Sequence, residues 1–236
     1  MVSQERSKKS IDRAGTALRD WWRGDDPLDS NLEDAIAVVV GYREGFNAPL
    51  NTVTMGIRSR VKTIGAPVVV SQRLKRLPTI VDKLDRHQNM KLSRMQDIGG
   101  CRAILPDDAA VRNVVKRIER GKRWDVREFY DYVTTPKSTG YRAVHVVVCL
   151  NDRLIEIQLR TERQHGWASV VERFSGRPSF GRLKDGDAPE IAVAYFEAAS
   201  RVMALQETGA GVDDTLANEF NELREAFRNL DSGDKL

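Results

Sequence analysis

The chain has 236 residues, and its 41% apolar and 31% charged content is that of a soluble globular protein, one well-packed domain with additions or at most two small ones. No apolar run approaches a membrane span, and the N-terminus lacks the apolar segment of a signal peptide, so a cytoplasmic protein without membrane contact is expected. The net charge of +4 conceals an uneven distribution, with ten Lys/Arg against two acids over 57–96 and twelve acids against four bases over 185–236, which calls for an anionic partner at the first block and a solvated helical face at the second.

Residues 1–30 are polar apart from Trp21-Trp22 and read as a flexible N-terminal arm, its tandem Trp expected to pack onto the domain. Helical periodicity covers 32–46 and 50–64, with Ser30-Asn31 as caps and Gly65-Ala66-Pro67 as the stop of the second helix. Val68 to Ser71 reads as a short buried strand. A basic stretch, 73–85, follows, in which Pro78 starts a helix and Thr79 and Lys83 lie one turn apart, with Arg73 and Lys75 just upstream. The segment 95–106 reads as a strand whose mouth holds Asp97, followed by Gly99-Gly100, which permit close backbone approach, and by Arg102 on the same chain. Read alone, Asp97 is as well explained as a turn-forming residue. A helix over 107–121 and a strand over 124–132 come next.

The stretch 131–161 organises the rest. Tyr141 to Leu150 is β-branched and apolar, Asn151-Asp152 is a two-residue turn signal, and Arg153 to Thr161 alternates polar with apolar, which predicts a β-hairpin. With Asn151 and Asp152 as the loop, Val144, Val146 and Val148 oppose Leu159, Ile157 and Ile155 on one apolar face. Val147 then opposes Glu156 and His145 opposes Gln158, so Tyr141, His145, Glu156, Gln158 and Arg160 share the other face. That face is either the wet side of a sheet or a site. The loop upstream of it, Thr134 to Gly140, presents Lys137 and several hydroxyls and ends in a glycine able to take positive φ, which suits a phosphate-bearing ligand whose base stacks on Tyr141. Cys101 and Cys149 both fall in predicted strands and read as small buried hydrophobes; His87, His145 and His165 stand at no zinc spacing, so any metal comes through carboxylates.

The run Asp-Tyr-x-x-x-Pro-Lys-x-x-Gly-Tyr-Arg-x-x-His from Asp131 to His145, followed by Glu-Ile-Gln-Leu-Arg-Thr from Glu156 to Thr161, resembles the synthetase domain of RelA/SpoT-type alarmone synthetases. Arg73, Lys75, Thr79, Ile80 and Lys83 are similar to that family's ATP-binding signature, and Asp97 to Arg102 to its magnesium-binding segment. The resemblance covers Arg58 to about Phe174. It implies an enzyme that moves the pyrophosphate of ATP to the 3′-hydroxyl of GDP or GTP. Asp97 and Glu156 would hold Mg²⁺, Glu156 serving also as base; Arg73, Lys75, Thr79, Lys83 and Arg102 would bind ATP; and Lys137, Tyr141, His145 and Gln158 would bind the acceptor. Departures are small: Ser138-Thr139 stands where the family often has an Asn, and Ala143 where a Ser is common, which puts the acceptor in doubt. The alternatives are a toxic relative acting on the 3′ end of tRNA and a non-catalytic nucleotide- or RNA-binding module. With no His-Asp hydrolase motif ahead of the synthetase region, degradation of the product is not expected.

Helices are predicted over 161–174, 189–206 and 214–230, and 175–187 is a Gly-rich, basic connection. The expected fold is α+β, a mixed β-sheet flanked by helices of the nucleotidyltransferase-like kind, with extra N- and C-terminal helices. The expected division is a synthetase domain over 31–187 and C-terminal helices over 188–236. Leu216, Phe220, Leu223, Phe227 and Leu230 form one stripe that must be buried on its own domain or against another chain, and a homo-oligomer is expected.

Overall fold

The computed structural model describes residues 7–25, 31–64, 67–121 and 123–233. Gly65 and Ala66 of the expected helix stop, and residues 1–6 and 26–30 of the expected arm, Ser30 among them, lie outside the described residues. Strands β1 (Val69–Leu74), β2 (Gly99–Leu105), β3 (Asp125–Asp131), β4 (Val144–Leu150) and β5 (Arg153–Thr161) form one mixed sheet in the order β1-β2-β5-β4-β3. Only β2 and β5 run parallel. This is the mixed α+β architecture expected from the sequence.

The β4–β5 hairpin has the register the alternation predicts: Val144, Val146 and Val148 pair with Leu159, Ile157 and Ile155, while His145 faces Gln158 and Val147 faces Glu156. Its turn residues Asn151 and Asp152 have φ of 51° and 54°, the left-handed pair that a twist-matched two-residue turn demands. The apolar face of the hairpin enters the main core. There it meets α1 (Lys8–Arg23), α2 (Leu32–Glu44), α3 (Asn47–Val61), α4 (Leu77–Arg86) and α5 (Asp108–Arg120). Phe46, Ile57, Ile80, Val146 and Ile157 are all buried in this core, and full burial of such side chains contributes roughly 1.5–3 kcal/mol each.

On the opposite face of the sheet α6 (Glu162–Phe174) packs against β5 and β2, α7 (Glu190–Thr208) packs on α6, and α8 (Asp214–Gly233) on α7. Helix α6 follows β5 without a loop, because Thr161 and Gln164 form a reciprocal capping box. A second, smaller core gathers Val171, Phe180, Leu183, Phe196 and Phe227. Rings of Phe174 and Phe227 stand 5.1 Å apart and those of Phe180 and Phe227 5.2 Å apart, so this core bridges the boundary expected at residue 187.

Three expectations are corrected. Residues 8–23 are not a loose arm: Ile11, Ala14 and Leu18 recur at helical spacing and are buried against α2 and α4. The narrowness of that stripe made the segment look polar. Trp21 and Trp22 do not pack onto the domain but remain 40% and 51% exposed at the end of α1. Strand β1 is an exposed edge and not a buried strand, since only β2 pairs with it. Cys101 and Cys149 are free thiols within strands, Cys101 buried as expected and Cys149, near the hairpin turn, only half-buried. Among the described residues no helix is long and apolar enough to cross a membrane.

Candidate active site

A cleft of about 440 Å³ opens on the polar face of the β4–β5 hairpin. Arg73, Lys75, Lys83 and Asp97 line it from β1, α4 and the residues beside them, and Lys137, Tyr141, His145, Glu156 and Gln158 from the hairpin and the loop before it. Arg102 lies in an adjoining pocket of about 270 Å³ that shares Arg73, Asp97, Glu156 and Gln158 with the cleft. Thr79 sits on α4 and lines neither cavity.

The β1–β2 pairing is prolonged by the Lys75 N–H donating to the Ile98 carbonyl at 2.8 Å, and Arg43 donates to the Lys75 carbonyl at 2.7 Å. The Lys75 side chain is thereby delivered beside Asp97, where its Nζ donates to Oδ2 at 2.9 Å. Lys83, from the middle of α4, reaches Oδ1 at 2.9 Å. Burial pushes the Asp97 carboxyl up, but Lys83 and Lys75 outweigh it and hold it below the usual carboxylate range. The carboxylate is thus ionised and flanked by two cations.

The polar residues of the hairpin form a closed hydrogen-bonded ring. Tyr141 Oη lies 2.6 Å from His145 Nε2, and His145 Nδ1 lies 2.9 Å from Glu156 Oε1. Gln158 Nε2 donates to Glu156 Oε2 at 2.7 Å. Arg160 Nη2 closes the ring by donating to Gln158 Oε1 at 3.2 Å and to Tyr141 Oη at 2.6 Å. A carboxylate only accepts, so His145 Nδ1 donates to Glu156. Burial raises the Glu156 carboxyl, yet His145 and Gln158 leave it below its ordinary value. Burial likewise raises the Tyr141 hydroxyl, with Arg160 opposing, so Tyr141 stays a neutral donor.

The loop carrying Lys137 is built by residues that do not line the cleft. Asp131 Oδ1 accepts from the N–H groups of Val133 and Thr134 at 3.0 and 3.1 Å. Arg142 donates to the Val133 carbonyl at 2.9 Å and to Ser200 Oγ of α7 at 3.0 Å. Lys137 then projects over aromatic rings, 4.7 Å from the Tyr132 centroid and 5.3 Å from that of Tyr141.

Several lining residues were not singled out from the sequence. Tyr130 and Tyr132 stack at 5.8 Å with an interplanar angle of 2°. Their spacing of two along a strand leading into the loop was the available signal. Arg160 was placed on the right face but given no role; it is only 4% exposed, and among the described residues no carboxylate pairs with it. Arg86, Trp167, Glu172 and Lys184 also line the cleft, and no local motif marked them.

A family model described as "Region found in RelA / SpoT proteins" matches residues 72–174. GTP pyrophosphokinase YwaC of Bacillus subtilis is 33% identical over 154 residues, covering 59% of this chain and 70% of its own. Small alarmone synthetase 2 of Bacillus subtilis superimposes with a TM-score of 0.61 at 22% identity, over 72% of this chain and 95% of that one. Small alarmone synthetase 1 from the same organism, solved with its product pppGpp, gives 0.60 at 23% identity, over 75% and 94%. The two solved structures establish the fold as that of the small alarmone synthetases. The chain belongs to the RelA/SpoT family and carries a domain of its alarmone-synthetase type.

Proposed function

We propose that the protein is a pyrophosphokinase that transfers the β,γ-pyrophosphate of ATP to the 3′-hydroxyl of GDP or GTP, forming guanosine tetra- or pentaphosphate. The observation that carries this reading is the meeting, in one cleft, of a lysine-flanked Asp97 with a Glu156 fixed by His145 and Gln158. Relatives named GTP pyrophosphokinases support the reaction class.

In this reading the acceptor hydroxyl attacks the β-phosphorus, the bridging bond to the α-phosphate breaks, and AMP departs. Arg73, Lys75 and Lys83 neutralise the triphosphate, with Arg102 on the adjoining pocket. The hydroxyl proton goes to Glu156, whose low proton affinity suits a loose transition state in which that proton leaves late. Lys137 meets the acceptor phosphates, Tyr141 stacks on the base and Gln158 orients the acceptor; His145, expected to join Lys137 there, has both ring nitrogens engaged and holds Tyr141 and Glu156 in place. Asp97 and Glu156 are two ionised oxygen donors reaching one cleft from β5 and the mouth of its neighbour β2, a donor set suited to Mg²⁺. That ion, when bound, would offset charge on the transferring group and orient it. Nucleotide substrates imply a cytoplasmic protein.

One feature favours a second acceptor. A shallow groove with Lys91 and Arg94 continues from the cleft through Arg86 and His87, a basic track that the 3′ end of tRNA could follow. Incubation with radiolabelled ATP and GDP, GTP or bulk tRNA decides between them. Label is expected on GDP or GTP; label on tRNA alone would replace the acceptor and keep the ATP half, and no transfer to any of them would refute the reaction.

A further inference from the structure

The Gly-rich connection 175–187 lies beyond the family-matched segment, which ends at residue 174, yet it reaches the cleft. Lys184 and Asp185 line that cleft together with Arg86 of α4. Two opposite anchors hold the connection there. On one side Phe180 and Leu183, exposed by 0% and 2%, are buried in the small aromatic core with Phe227 of α8. On the other, Arg182 pairs with Asp82 at 3.0 Å and Asp185 with Arg86 at 3.1 Å, while Asp82 and Arg86 pair with each other at 3.2 Å along α4. Those three contacts make one chain of four charges, strap to helix and back to strap. At its far end Gly186 approaches the acceptor loop, where a Cβ would stand 3.5 Å from the Thr139 methyl.

Charge pairing singles out one strap residue. In the cleft, Lys75 and Lys83 are engaged by Asp97 and Arg86 by Asp82 and Asp185, and on the strap Arg177 pairs with Asp231 and Arg182 with Asp82. Lys184 is exposed, and among the described residues no carboxylate pairs with its ammonium, although acids dominate the sequence after it. Its backbone N–H is fixed by Ser175 Oγ at 3.0 Å, so the side chain leaves a held position. An uncompensated cation at the wall of an anion-binding cleft, carried by a segment latched to the helix that bears Lys83, is a phosphate ligand waiting for its anion.

We infer that 175–187 is a strap forming one wall of the nucleotide cleft, and that Lys184 is a further binding residue for the polyphosphate of a bound nucleotide. The inference rests on the nucleotide reading above and adds a ligand from outside the family-matched region. The Asp82–Arg182 pair positions the strap and does not itself touch nucleotide.

The test uses the full chain, with calorimetric titration of α,β-methylene-ATP and, separately, of GDP. Lys184→Ala should weaken at least one of them about tenfold, the weight of one charge-assisted contact, and Lys184→Arg should retain most of the affinity. Arg182→Ala, which releases the latch without removing the ligand, should weaken the same nucleotide, and the gap to the parent should close at high salt as the latch pairs are screened. Loss with the ATP analogue alone assigns Lys184 to the donor; loss with GDP alone assigns it to the acceptor. Unchanged affinity for both nucleotides in a Lys184→Ala protein with the parent's melting curve overturns the inference. A parent protein that binds neither nucleotide overturns the functional reading and this inference with it.

Discussion

At the scale of single residues, the proposed reaction rests on the two carboxylates, and they make its most direct predictions. Removing the charge of Glu156 with Glu156→Gln, or of Asp97 with Asp97→Asn, should lower Mg²⁺-dependent AMP release by at least about a hundredfold while leaving the circular dichroism unchanged. Parent-like turnover by either variant would reject their roles. Their titration has a second consequence. Both carboxyls sit below their ordinary values of 3.8 and 4.5, burial being outweighed by Lys83 and Lys75 at Asp97 and by His145 and Gln158 at Glu156. Groups depressed in the folded state stabilise it fully above their ordinary values, and that contribution is lost as pH falls through the folded ones. Denaturant unfolding followed from about pH 5 to pH 2 should therefore show a shallower loss of stability in the Asp97→Asn, Glu156→Gln double variant than in the parent. Equal slopes would mean that these pairs are not the acid-labile ones.

At the scale of elements, the acceptor loop depends on α7, a helix that contributes no residue to the cleft lining. Gly140 has φ of 83°, and a Cβ there would stand 2.9 Å from Glu197 Cα and Ser200 Cβ and 3.0 Å from the Phe196 carbonyl. Neither backbone strain nor backbone crowding is relieved by turning a side chain. Gly140→Ala should cost roughly 1–3 kcal/mol and push the loop off α7. The acceptor KM should rise with little change in that for ATP, since Asp97 and its lysines stand on other elements; equal changes in both would show that the loop is not an independent acceptor module. The same loop explains why Asp131 and Arg142 accompany Lys137 and Tyr141 in the motif. They hold its two ends, and neither lines the cleft.

Across the whole molecule, the sheet separates two cores with different duties. The main core fixes the hairpin register, and the small aromatic core fixes α7, α8 and the strap. Phe227 sits at the middle of the second, its ring 4.5 Å from Tyr195 and 5.4 Å from Phe196. Phe227→Ala should cost about 3–5 kcal/mol in that subregion, seen as faster amide exchange in α7 and α8 with β4 and β5 unaffected. Uniform loss of protection would make the molecule one cooperative unit instead. Leu216 and Phe227 of the α8 stripe are buried within the chain, so a second copy is not needed to cover them. Light scattering of the full chain tests the expectation of an oligomer, and a single-chain mass would end it.

The hairpin and the residues of its polar face were readable from residue order because their causes are local. A period of two, an Asn-Asp turn and an antiparallel register place Tyr141, His145, Glu156, Gln158 and Arg160 on one face without reference to any distant element. Resemblance added the donor-side signature and an expected role for Asp97, which spacing alone left open between a turn residue and a ligand. What residue order could not supply was long-range. Nothing near Lys75 or Lys83 announces that both meet Asp97, because that contact needs β1 paired to β2 and α4 laid beside them. The buried stripe of α1, the exposed edge at β1 and the strap over the cleft were missed for the same reason. Burial belongs to the pair of surfaces that meet, and a polar segment that buries Ile11, Ala14 and Leu18 looks loose until the surface that receives them is known.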